Sequence, residues 1–210
     1  MGTKFLDREA RSAFKRAVEA VENASAVEVV VAVRQTSGTY RHANAIVGAI
    51  VAFIGLAVML YGEQEFALRS ILIEPFVVGG LSAWIVELLP MLKRVMTPAS
   101  RRQFQVDRAA RALFVDHNIH ITTGRSGILV YISWLEQRVS LVADIGLLRA
   151  LPENVLPGAQ AELTAAVSRG GAAVAKLVEA LAPKMAKAMP HRDDDVNELP
   201  DAVDSDMGDD

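Results

Sequence analysis

The sequence predicts a mixed α/β domain, a small mixed sheet layered against helices, into which a two-helix transmembrane hairpin is inserted. Three observations predict it. The β-branched run "AVEVVVAVRQ" (26–35) and a later pair of alternating segments joined by "LEQR" supply the sheet. Amphipathic or alanine-rich stretches before and after these strands supply the helices. Between the first strand and the other two stand two apolar runs that are too long for strands and uncharged over most of their length.

The first element, "LDREARSAFKRAVEAVENA", repeats Ala10, Phe14, Ala17, Val18 and Val21 at helical spacing with charges between them, and Asp7 suits an N-cap. The strand that follows is apolar on both faces at its centre, which places it inside a sheet rather than at its edge. "SGTYRH" then turns toward the apolar runs.

The first run, "ANAIVGAIVAFIGLAVMLY" (43–61), has no charge and no proline. As a helix it would be roughly 28 Å long at about 1.5 Å per residue, close to the ~30 Å hydrocarbon thickness of a bilayer. The second, "ILIEPFVVGGLSAWIVELLPML" (71–92), follows after "GEQEFALRS". Glu74, Pro75, Glu87 and Pro90 interrupt it near its two ends, and residues 75–86 carry no charge. Tyr61 and Trp84 suit the interface between lipid and water. The small residues Ala45, Gly48, Ala49, Ala52 and Gly55, with Gly79, Gly80, Ser82 and Ala83, suit close helix approach without a hydrophobic driving force, within the hairpin or between copies of it. Two such helices buried in a soluble bundle would need wrapping on all sides, for which the rest of the chain is too short. Residues 1–41 hold seven Lys or Arg, residues 93–111 hold six, and the connecting loop holds Arg69 alone. Positive charge retained in the cytoplasm therefore predicts two spans with both termini inside, in a bacterial inner membrane. No apolar signal-peptide core precedes residue 43, and Leu6 stands where myristoylation wants Ser or Thr.

After the hairpin, "TPASRRQFQVDRAARALFVDH" opens on a Thr cap with Pro98 at the first helical position and offers Phe104, Ala109, Leu113 and Phe114 for burial. Its Arg101, Arg102, Arg108 and Arg111 form a basic face for solvent or anionic lipid. Strands at 128–134 and 139–144 make an antiparallel hairpin. Two alanine-rich helices follow, "LPENVLPGAQAELTAAVSRG" and "GAAVAKLVEALAPKMAKAM", parted at Gly170 and Gly171. The domain is thus split: 1–42 and 96–190 are its two parts, 43–95 is the inserted hairpin, and 191–210 is an acidic tail. The last 18 residues hold nine of the 25 acids and no base, and without them a net charge of −3 becomes +6. A disordered tail is expected, with no match to an EF-hand loop.

Three stretches resemble the TPM domain family, specifically its bacterial membrane-protein branch: "TTGRSGILVYISWLEQRVSLVADIGL", "GGAAVAKLVEALAPKM" and the terminal "HRDDDVNELPDAV". The opening helix and strand, with Glu22 and Glu28 flanking Ser25, are similar to the start of those proteins, where threonine usually stands in place of the serine. The resemblance covers nearly the whole chain, the inserted helix pair included. It implies an α/β/α sandwich tethered to a membrane, a role in assembling or maintaining membrane protein complexes, and, in some relatives, weak acid phosphatase activity and divalent-cation binding. Relatives generally hold the domain outside the cytoplasm, whereas the charge pattern here places it inside.

The residues themselves offer few sites. His117 and His120, three apart, suit one metal if helical, but a bare pair specifies little, and two polar loop histidines is the simpler reading. "TTGRSG", with Arg125, has the hydroxyls and glycines to hold an oxyanion, yet lacks the spacing and lysine of a phosphate loop, so a turn leading into the strand is the plainer reading. Ser126, Ser133 and Ser168 lack a nucleophile-elbow context. Glu136 and Arg138 lie in the strand turn, and Asp144 ends a strand. Asp144 suits a metal ligand or general base, alongside Glu22 or Glu28 if the strands pair suitably, but a carboxylate that ends the strand and bonds the turn is the plainer reading. Candidate catalytic residues are therefore Asp144 and Arg125; candidate ligands for a divalent cation such as Ca or Mg are Asp144, Glu28 and Glu22. With no cysteine, disulfides and thiolate metal sites are excluded. Without a convergent catalytic set, the sequence favours a membrane-anchored interaction module whose partners are the bilayer, membrane proteins and further copies of itself, not nucleic acid. A weak metal-dependent phosphatase is the alternative.

Overall fold

The computed structural model describes residues 5–191, 199 and 203–207. It divides into two compact units, one built from the chain before Thr39 and after Arg101, the other from 39–101. The first unit contains the helices α1 (Arg8–Ala24), α5 (Ala99–Asp116, from Arg102 onward), α6 (Ile145–Ala150), α7 (Val155–Ala166), α8 (Gly171–Glu179) and α9 (Ala182–Ala188), with strands β1 (Val29–Arg34), β2 (Ile128–Ser133), β3 (Arg138–Ala143) and β4 (Asp204–Ser205). The second contains α2 (Arg41–Tyr61), α3 (Leu68–Glu87) and α4 (Pro90–Met96).

The sheet is mixed and four-stranded, in the order β3-β2-β1-β4. β1 runs parallel to both its neighbours, and β3 returns antiparallel to β2. The β1–β2 register joins Val29 to Ile128 and continues to Arg34 and Ser133. Alternation along these strands sends Val29, Val31, Val33, Ile128, Val130 and Ile132 to one face, where Phe14 of α1, Leu163 of α7, Val174 of α8 and Met185 of α9 cover them. Val30, Ala32, Leu129 and Tyr131 point to the other face, against Val106, Ala110 and Phe114 of α5 and the adjoining Ile119. Helices on both faces make three layers, and this explains why β1 and β2 read as unbroken apolar runs.

Local chemistry sets several boundaries. The Asp7 carboxylate accepts from the Ala10 N–H at 2.7 Å and starts α1. Gly170, at φ +101°, supplies the left-handed turn that parts α7 and its trailing 3₁₀ turn from α8. The last expected helix is two helices: Pro183 lies in the first turn of α9, where its missing N–H is tolerated, and α8 has already ended at Glu179. β3 ends at Ala143, and Asp144 caps α6, a short helix that the alternating pattern before it does not announce.

Two further expectations are corrected. On α5 the buried stripe is Val106, Ala110 and Phe114, and Phe104 is 64% exposed, because the layer beneath is set by β1 and β2 and not by the helix's own largest side chains. The tail, expected to be disordered, contributes β4, which pairs Asp204 with Ala32 and Ser205 with Val33. Most of the acidic run, 192–198 with 200–202 and 208–210, lies outside the described residues.

In the second unit α2 and α3 pack antiparallel, joined by the short connection 62–67. Their closest approach is at Gly48 and Gly79, where a Cβ on Gly79 would meet the Gly48 carbonyl oxygen at 2.6 Å and one on Gly48 would meet the Gly79 oxygen at 2.8 Å. Only glycine fits either position. Gly80 faces away, and a Cβ there would meet nothing within 4 Å. The second apolar helix begins and ends earlier than the 71–92 expected, so Pro75 lies inside it, and Pro90 opens the separate α4. Among the described residues, 20 of the 26 exposed large apolar side chains belong to this unit.

Phe14 is fully buried between α1 and the sheet. Phe14→Ala should lower the unfolding free energy by about 3 to 5 kcal/mol. Denaturant titration following Trp134 fluorescence in a Trp84→Phe background measures it. A loss below about 1 kcal/mol would mean that this side chain does not anchor the core.

Candidate functional site

Polar groups gather where β1 and β2 stop being apolar, at the two ends of the sheet. At their carboxyl ends β2 closes on Ser133, and the chain reverses through a tight turn in which Gln137 takes a left-handed φ of +52°. That turn carries Glu136 inward until it is 0% exposed. Its Oε1 accepts from the Ser37 N–H at 3.0 Å and the Thr36 hydroxyl at 3.3 Å, and its Oε2 accepts from the Ser133 hydroxyl. The Ser37 hydroxyl donates to Ser133 Oγ at 2.7 Å, which leaves the Tyr131 phenol, 3.0 Å away, as donor to Ser37. The result is a directed chain, Tyr131 to Ser37 to Ser133 to the Glu136 carboxylate. Arg102 donates to the Glu136 carbonyl oxygen at 2.7 Å, so it turns inward. Arg108 and Arg111 on the same helix remain exposed.

Burial pushes the Tyr131 phenol above its ordinary value. The charge of Arg34 pulls it down by less, while Glu136 and Asp206 add to the rise. The phenol therefore stays protonated and donating. This network clamps the exit of β1 to the β2–β3 turn.

The opposite end holds the candidates read from the sequence. Glu28, Gly127 and Asp144 stand in a row across β1, β2 and β3: the Ile128 N–H donates to the Glu28 carbonyl at 2.8 Å and the Asp144 N–H to that of Gly127 at 2.9 Å. Asp144 Oδ1 accepts from the Ile145 N–H at 2.6 Å. Its Oδ2 is buried without a hydrogen-bond donor, 3.6 Å from Nη1 of Arg125. Arg125, at φ +51°, also donates from Nη1 to the His120 carbonyl at 2.9 Å and is more than half exposed. The structure thus brings Asp144 and Arg125 together, with Glu28 in the same row as Asp144 and Gly127 between them. Glu22 is engaged elsewhere, accepting from the Val29 N–H at 3.1 Å where α1 passes into β1. Ser25 is buried and donates to the Val21 carbonyl. Among the described residues no group of three or more His, Asp or Glu is arranged to hold a metal ion.

The remaining motifs find structural duties. Thr122 Oγ1 accepts from the Ser126 and Gly127 N–H groups at 3.0 and 3.2 Å, so these amides of "TTGRSG" are spent on the turn itself. His117 Nε2 lies 3.4 Å from Asp204, whereas the His120 ring leans on Phe114. The Glu136 network was legible only in outline, as a polar Ser133 ending an apolar strand three residues before an acid. Its partners Thr36 and Ser37 lie about a hundred residues earlier, beyond any local pattern.

The fold and its two polar ends define a three-layer α/β/α domain interrupted by an apolar helical hairpin. No family model and no curated protein matches the chain. Among solved structures it is similar to the NMR structure of BA42 protein from the psychrophilic bacterium Bizionia argentinensis, with a TM-score of 0.58 and 14% identity over 98% of each chain. At that identity the likeness speaks to the fold alone.

Because Tyr131 holds its proton more tightly folded than unfolded, its contribution is complete below the unfolded value of about 10 and is lost as pH rises from there through the raised folded value. Tyr131→Phe should remove that part of the alkaline loss. Denaturant midpoints at about pH 9 and about pH 11 measure it; parallel declines in both proteins would exclude Tyr131 as the titrating group.

Proposed function

We propose that the protein is a membrane-anchored interaction module of the TPM type, accessory to the assembly or maintenance of membrane proteins. The observation that carries this reading is the inserted unit. Asn44–Tyr61 and Leu68–Glu87 are long and apolar enough to cross a membrane, and they carry most of the large apolar side chains left exposed. Water would penalise that surface, whereas hydrocarbon would not. The Gly48–Gly79 approach is the kind of contact that holds helices together where burial offers no driving force. At one end of the pair Glu87 meets both Asn44 and Lys93, the latter at 2.8 Å, which satisfies a carboxylate that lipid would otherwise strand. The segments before and after the hairpin build one α/β unit, so the number of crossings is even. The charge asymmetry of the flanks then favours termini in the cytoplasm, in a bacterial inner membrane. Outward-facing Ala45, Ala49 and Gly80 are the surface on which a second copy would pack.

A reporter fused after Asp210 should be active only in its cytoplasmic form, and one inserted at Glu63 only in its external form. The inverse pattern would reverse the orientation, and activity of both reporters in one compartment would remove the membrane hairpin altogether.

One specific observation favours a second reading, a weak metal-dependent phosphatase. Asp144 keeps a buried carboxylate oxygen free of hydrogen-bond donors beside the exposed guanidinium of Arg125. A divalent cation such as Ca or Mg on Asp144 and Glu28 would activate water, with Arg125 binding a phosphoryl oxygen. Asp144→Asn should leave turnover of a generic phosphomonoester at the background level of the wild type if the module reading holds. Robust, metal-dependent turnover that vanishes in Asp144→Asn, with unfolding unchanged, would replace the module by the enzyme.

A further inference from the structure

The outer edge of β1 is held by a short piece of the tail. β4 pairs with only Ala32 and Val33 of the six residues in β1, too few ladder bonds to hold a strand by themselves. Side chains supply the rest. Arg34 pairs with the Asp204 carboxylate and donates from Nη1 to the Asp204 carbonyl at 3.0 Å. His117 adds a contact to the same carboxylate at 3.4 Å. The Gln35 N–H donates to Asp206 Oδ1 at 2.8 Å, and Arg11 reaches the Met207 carbonyl at 3.2 Å. Val203 and Met207 pack against the core on the α1 side of the sheet. Alternation separates the two kinds of contact: apolar residues at either end pack on the core, while Asp204 and Asp206 meet Arg34 and the Gln35 N–H at the end of β1.

We propose that this edge is a docking site for an extended acidic segment of a partner protein, of the form apolar-Asp-small-Asp-apolar, and that the chain's own tail occupies it until such a segment displaces it. Three features carry the proposal. Edge addition gives affinity through the main chain and specificity through alternate side chains, and here both are observed with a bound segment in place. The ion pair is partly solvated, with 17% and 32% of the Arg34 and Asp204 side chains exposed, so salt and competitors reach it. Arg34 and Arg11 also present a basic rim that discriminates against a basic or neutral strand. A tail tethered in cis acts at an effective concentration on the order of millimolar, so a free segment binds the intact protein weakly and gains when the tail is weakened. The proposal rests on the module reading only in assigning the competing segment to a partner; docking itself is tested without a membrane partner.

The experiment uses the full chain and a fluorescent peptide of residues 199–210, followed by anisotropy. Asp204→Asn with Asp206→Asn in the chain's own tail should tighten binding of the native-sequence peptide at least about tenfold over the wild-type chain. A peptide bearing those two changes should not bind either protein, which leaves the protein untouched and so separates recognition from misfolding. Arg34→Gln should abolish binding of the native peptide. No binding to the tail-weakened chain, or equal binding of native and substituted peptides, would overturn the site. A dimer that the native peptide dissociates would assign the edge to a second copy's tail and overturn the partner assignment.

Discussion

The parallel pairing of β1 with β2 is the constraint on which the rest depends. Val29 and Ile128 are neighbours in the sheet although the whole inserted unit and α5 lie between them in sequence. Parallel strands always require a crossover. Because the entropy of closing a loop grows only logarithmically with its length, a self-contained hairpin placed in that crossover adds little cost. The opposing term is burial on both faces of β1 and β2, with α1, α7, α8 and α9 on one side and α5 on the other. Neither flank of the insertion carries a complete core, so the α/β unit exists only when both meet.

A sheet whose central strands are buried on both faces leaves polar chemistry only at its ends. The two ends are built differently. At the carboxyl end Glu136 is enclosed by donors from the β1 exit and β2, and the directed chain from Tyr131 consumes every hydroxyl in it. A buried carboxylate so satisfied ties strands together and would be costly to strip of its partners. At the amino end Asp144 is only half satisfied, and its partner Arg125 is open to solvent. That asymmetry is why the phosphatase alternative concerns Asp144 and not the more deeply buried acid.

The hairpin packs by a different pattern. Its α2–α3 contact is made by backbone approach at Gly48 and Gly79, while Phe53, Phe76 and Trp84 face outward, the reverse of the α/β unit, where Phe14 and Ile132 face inward. One chain thus carries two packing rules. The sheet edge adds a third, a segment held mainly by side-chain charge and therefore sensitive to salt and competition.

By itself the sequence determined what periodicity and composition encode within a few turns of chain. It placed α1 through Asp7 and the spacing of Phe14, Ala17, Val18 and Val21, it placed β2 and β3 as an antiparallel pair, and it marked two long apolar helices. It named Asp144 and Arg125 as separate candidates, and the 3.6 Å between them is a matter of the tertiary structure. Only the tertiary structure decided which face of α5 is buried, since Phe104 and Val106 are equally plausible core residues until β1 and β2 are in place beneath them. It decided that Glu136 is a buried hub, that Asp144 caps a helix, and that an acidic tail becomes β4. The hub and β4 depend on partners far away in sequence, Ser37 for Glu136 and Arg34 for Asp204, and a local pattern carries no information about groups that only folding brings within hydrogen-bonding distance.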